Sequence, residues 1–166
     1  MVHGSLMTRA LALALAILAG ALPCPASAAP GDKADISRLS DLAFGQLNMT
    51  TDQTLSESVC AYSSSATSGY AVQATGDGAG TAFTLSNGST TLPYEVRWSD
   101  SSGQTNGTAL TAGATVSGFI SSASQKTCNN GPASSATLLV TIRAAASGSA
   151  QVGDYSGVLT LTLVPQ

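Results

Sequence analysis

Leu92-Pro93-Tyr94-Glu95-Val96-Arg97-Trp98 decides the fold class. Leu92, Tyr94, Val96 and Trp98 share one parity, and Pro93, Glu95 and Arg97 share the other. Side chains of a strand alternate between faces, so the first set lines a core and the second meets water. Pro93 has no N–H to give to a ladder, so the strand begins there or lies at a sheet edge. The same period recurs along the chain. Tyr70, Val72 and Ala74 alternate with Ala71, Gln73 and Thr75. Phe83 and Leu85 flank Thr84, and Leu138, Val140 and Ile142 alternate with Leu139, Thr141 and Arg143. Leu159, Leu161 and Leu163 alternate with Thr160 and Thr162. Leu110 to Ile120 reads as one bent strand or two short ones.

Turn residues separate these runs. Asn87-Gly88 lies between two of them and predicts a hairpin, because both residues tolerate positive φ. Asn106-Gly107 marks a second turn, and Asn129-Asn130-Gly131-Pro132 marks a loop. Ala144-Ala145-Ala146 starts a helix that Ser147-Gly148-Ser149 stops within a turn. About seven or eight short strands with regular turns predict an all-β sandwich or barrel. Upstream the pattern weakens. Residues 29–41 read as a flexible N-terminal extension, Leu42, Phe44 and Leu47 as candidates for a first strand, and Asn48 to Ser56 as a polar connection.

Residues 1–28 read as a secretory signal peptide. Arg9 supplies positive charge, Leu11 to Leu22 form an apolar run, and Ala26-Ser27-Ala28 makes a small-x-small cleavage site. Met7 is an alternative start. The run is shorter than the roughly 20 residues of a membrane span. Residues 29–166 are then a single exported domain, long enough to bury a sizeable core. Cleavage removes His3, the one histidine, and Cys24. Cys60 and Cys128 remain, and an oxidising compartment predicts a disulfide between them.

This inventory excludes most familiar chemistry. Ser-His-Asp and Cys-His arrangements lack their histidine, and a zinc site lacks ligands. No catalytic residue, metal or cofactor is expected, and the chain does not read as an enzyme. Asp77, Glu95, Asp100 and Asp154 offer carboxylates for glycoside hydrolysis, but no spacing pairs them. Gly76-Asp77-Gly78-Ala79-Gly80 lacks the lysine and the strand-to-helix setting of a phosphate loop, and reads as a hairpin loop. Nine acids outnumber six bases with no basic cluster, which excludes nucleic acid as a partner. Trp98 and Tyr94 are candidates for an aromatic sugar contact, although their parity with Leu92 and Val96 favours the core. Sequons at Asn48, Asn87 and Asn106 are within chance for a chain so rich in Ser and Thr.

Gly153-Asp154-Tyr155-Ser156-Gly157 leads into the alternating run that ends at Leu163. Together with Phe44-Gly45, Cys60 and Leu92-Pro93-Tyr94-Glu95-Val96, this resembles bacterial pilin-like secreted subunits of chaperone–usher systems, notably the spore coat protein U-like family. The similarity runs over residues 36–166. It implies an immunoglobulin-like, pilin-like sandwich that lacks its final strand, exported to the periplasm and then to the cell surface or a fimbrium. It implies as partners a periplasmic chaperone, an outer-membrane usher and other pilin subunits, whose strands fill a hydrophobic groove by β-strand addition. Leu159, Leu161 and Leu163 would line that acceptor groove or fill the core beside it. A donor strand alternates several large apolar residues, whereas residues 29–41 offer only Ile36 and Leu39. That shortage points to a minor or terminal subunit. The alternative is a self-sufficient secreted β-sandwich that binds carbohydrate or protein through an exposed aromatic patch.

Overall fold

A computed structural model describes residue 29 and residues 31–166. The predicted signal peptide, with His3, Met7 and Cys24, lies outside the described residues. The described chain forms β1 (Ala34–Ser37), β2 (Gln53–Ser63), β3 (Gly69–Gly76), β4 (Thr84–Ser86), β5 (Thr91–Pro93), β6 (Glu95–Ser99), β7 (Thr108–Leu110), β8 (Thr115–Ile120), β9 (Ala136–Ile142), a short helix α1 (Ala144–Ser149) and β10 (Leu159–Pro165). The pairings are antiparallel. One sheet runs β1-β2-β9-β6-β7, a second runs β10-β3-β8, and β4 and β5 form a separate hairpin. The result is a β-sandwich of the pilin-like kind, with more and shorter strands than the turn count predicts.

Alternation explains which faces meet. Val59, Ala61, Val96, Trp98, Leu138, Val140 and Ile142 come from the larger sheet, and Tyr70, Val72, Ala74 and Phe119 from the smaller one. Trp98 on β6 reaches across to Tyr70 on β3. The rings meet edge-on, 6.5 Å between centroids, and the indole Nε1–H donates to the Tyr70 hydroxyl at 3.1 Å. This bond satisfies two polar groups that the core otherwise leaves dry. β9 is central and buried along its whole length. On its outer face the Thr137 hydroxyl donates to Ser101 O, and Thr141 shares a hydrogen bond with Thr54.

Three features differ from the sequence expectation. The run from Leu92 to Trp98 is two strands: β5 pairs with β4 as far as Pro93, and β6 pairs with β9 from Glu95. Tyr94 is the joint, and its N–H donates to Phe83 O. Parity survives the crossing, so Leu92, Tyr94, Val96 and Trp98 are all buried. Next, β2 begins at Gln53, inside the stretch read as a polar connection, and Cys60 falls late in it. Its exposed face carries Thr54, Ser56 and Ser58, which hides the strand in a polar composition. Third, β1 lies within the predicted extension, with Ile36 opposite Ala61, whereas Leu42, Phe44 and Leu47 enter no strand. Arg38 takes φ 65°, a left-handed conformation that ends the β1 ladder. Leu110 to Ile120 follows the two-strand reading: it holds the end of β7 and all of β8, separated by a turn with Gly113 at φ 76°.

Cys60 and Cys128 form the predicted disulfide, with Cα atoms 5.8 Å apart. Both are buried beside Ala123 and Tyr62. The bridge fixes the loop before β9, and that loop in turn holds β1. Arg38 Nε donates to Thr127 O at 2.9 Å, Ser37 Oγ donates to Lys126 O at 2.7 Å, and Lys126 pairs with Asp35 at 3.7 Å.

Candidate strand-acceptor groove

β10 is the outermost strand of its sheet, so one of its edges has no ladder partner. β1 is the outermost strand of the facing sheet, and the two pass close to each other at one end. Beyond β1 the chain runs irregularly through residues 38–52. The sandwich is therefore open along this side. The opening is a groove of about 1190 Å³ whose walls include Leu42, Phe44, Leu138, Val140, Leu159 and Leu161.

Two of the three predicted leucines sit at this opening. Leu159, Leu161 and Leu163 share one face of β10 and each stays only partly buried, whereas Ala74 and Val72, opposite Leu161 and Leu163 on β3, are fully buried. Leu159 and Leu161 line the groove, and Leu163 packs against the core beyond it. As the outermost strand of its sheet, β10 leaves part of its apolar face uncovered. The rim shows the same excess. Leu39, Met49, Val152 and Val158 line the groove and are four of the six large exposed hydrophobics among the described residues.

The Gly-x-Tyr-x-Gly segment builds the wall before β10. The Tyr155 hydroxyl donates to Gln151 O at 3.0 Å and lies 2.8 Å from Thr90 Oγ1, which ties the turn to the β4–β5 hairpin. Ser156 bridges Ser86 through both backbone bonds. Gly157 permits the approach, since a Cβ there would stand 2.9 Å from Thr84 O.

Three groove residues are charged, Asp41, Glu57 and Asp154, and of these Asp41 and Glu57 were not singled out from the sequence. Glu57 lies on the inward face of β2, on the parity of Leu55 and Val59. Its Oε1 accepts the Ser40 N–H at 2.7 Å and also the Ser40 hydroxyl. Its Oε2 is buried without a hydrogen-bond partner. A carboxylate on the parity of a core face is the signal that was available.

The other candidates take structural places. Trp98 is fully buried and Tyr94 is 7% exposed, so neither offers a ring face for the sugar contact considered above. Burial is the main cause that pushes the Tyr94 hydroxyl up to about 12, with the charge of Asp77 adding to it. Tyr70 is also pushed up to about 12, mainly by burial. Glu95 is held below the usual carboxylate range by the Arg143 guanidinium, which approaches to 2.5 Å. Asp52 is lowered by the Ala144 N–H first and by Arg143 second. Asp100 accepts the Ile120 N–H, and Asp154 lines the groove. Two glycines of the predicted hairpin loop are packed: a Cβ at Gly76 would stand 2.1 Å from Ala82 O, and one at Gly78 2.2 Å from Thr84 Oγ1. Asn48, Asn87 and Asn106 all use their side-chain oxygens to hold turns. Among the described residues no helix is long and apolar enough to cross a membrane.

No family model and no curated protein matches the chain. Among solved structures it is similar to a chain described under "Chaperone-tip adhesin complex is vital for synergistic activation of CFA/I fimbriae biogenesis", with a TM-score of 0.51 and 17% sequence identity. The match covers 81% of this chain and 41% of that one, so this chain spans less than half its length. At that identity the likeness shows the fold.

Proposed function

We propose that this chain is a non-enzymatic structural subunit of a bacterial surface fibre, which accepts a strand along β10. The observation that carries the reading is the unpaired outer edge of β10 beside a groove whose leucines stay half-exposed. β-Strand addition supplies what is missing: main-chain hydrogen bonds to the free edge, and alternating side chains over the leucines. Left open, such an edge invites aggregation. The donor is a periplasmic chaperone first and a neighbouring subunit later, with an outer-membrane usher between the two steps. The resemblance to spore coat protein U-like subunits and the fold shared with a chain from a fimbrial complex support this reading. The place of β1 supports the reading of a minor or terminal position. If cleavage falls after Ala28, residues 29–33 alone precede β1, too short a stretch to donate a strand.

The test is periplasmic co-expression with a chaperone of the same system. A one-to-one complex is expected, and Leu161→Asp should lower its yield at least about tenfold by placing a charge in the apolar groove. A wild-type protein that stays a stable monomer and captures neither chaperone nor strand peptide would refute the reading. The buried Trp98 gives the self-sufficient sugar-binding module no aromatic platform.

A further inference from the structure

We infer that the strand received by this groove carries one lysine or arginine that pairs with Glu57. The inference rests on the strand-acceptor reading and adds the chemistry of the partner. Glu57 shares the groove lining with Leu42, Phe44, Leu138, Leu159 and Leu161. Ser40 engages its Oε1, and its Oε2 is buried with no donor. A buried carboxylate oxygen without a partner costs more than an ordinary hydrogen bond returns, so a donor that arrives with the strand removes a penalty.

The described residues do not supply that donor. The groove is also lined by Asp41 and Asp154, and by no lysine, arginine or histidine among the described residues. Arg143 is held by Glu95 and Asp52, Arg38 by residues 127–129, Lys126 by Asp35 and Arg97 by Asn106, and the exposed Lys33 is not part of the groove lining. The cation must therefore come with the occupant. In an extended strand the residues two before and two after it point the same way. They would meet the leucines on either side, so the recognised pattern is apolar-x-basic-x-apolar. An acidic residue at the central position would be rejected, which gives the groove a means of choosing between donors.

Synthetic peptides of alternating apolar and polar residues test this, with each inward position replaced in turn by Lys, Leu and Glu. Their dissociation constants are measured by fluorescence anisotropy on the disulfide-bonded protein, at low and high salt. At one inward position Lys should bind about tenfold tighter than Leu, and Glu weaker than both. The Lys preference should vanish in Glu57→Gln, which keeps an acceptor for Ser40, and reverse in Glu57→Leu. Leu equal to or better than Lys at every position on the wild-type protein would overturn the inference while leaving strand acceptance intact. Failure of every peptide to bind would remove strand acceptance and the inference with it.

Discussion

Replacing both Cys60 and Cys128 by alanine should weaken the fold and loosen one wall of the groove. The bridge closes a loop of sequence separation 68. Chain entropy for a loop of that length is worth about 4 kcal/mol. Domains commonly have about 5–15 kcal/mol in total, so the variant should fold but with a large part of its margin gone. With a urea slope of about 2 kcal/mol per molar, the unfolding midpoint should drop by about 2 M. Trp98 reports the transition, being the single tryptophan and fully buried. The loss should also be uneven. Arg38 and Ser37 hang on the carbonyls of residues 126–128, so β1 amides should exchange faster by a larger factor than those of central β9. A midpoint shift below about 0.5 M, with β1 protection unchanged, would refute the idea that the bridge braces this edge.

Three further predictions concern charge and the core. The carboxyls of Asp52 and Glu95 are depressed in the folded state, so their contribution is present above the unfolded values of 3.8 and 4.5 and is lost as pH falls through the lowered folded ones. The urea midpoint should therefore fall on acidification from pH 5 to about 3, and Arg143→Gln should flatten that fall; parallel acid profiles would contradict it. At the other end, Tyr70 and Tyr94 are raised to about 12, so the stability they hold below 10 should be lost as pH climbs toward their folded values. Trp98→Phe removes the donor to the Tyr70 hydroxyl and should cost about 2–3 kcal/mol in chemical denaturation, from the unpaired buried group and the lost ring volume.

The inward faces were the most legible part of the fold. Alternation marked Tyr70, Val72 and Ala74, then Leu138, Val140 and Ile142, and these positions are buried. The sheet change at Tyr94 was illegible because parity runs straight through it; only Pro93, which cannot donate to a ladder, hinted at a break. β2 was masked by Thr54, Ser56 and Ser58 on its outer face and by Glu57 on its inner one. β1 was hidden because four residues with one large apolar side chain leave little period to detect. The groove was out of reach for a different reason. It is the gap between two sheet edges, and a leucine beside a gap has the same parity as a leucine in a core. Leu159 and Leu161 were found through a family resemblance, whereas Val152, Val158 and Met49 carried no periodic signal because they lie in irregular chain.

The most direct test of strand acceptance is amide hydrogen exchange across Leu159–Val164, with and without a bound strand peptide. In the free protein, the β10 amides bonded to β3 should be protected and those on the outer edge should exchange quickly. Saturation with peptide should slow the outer set by at least about a hundredfold, in alternation along the strand. Outer amides already protected in the free protein, or peptide-induced protection that falls elsewhere and spares β10, would contradict the account.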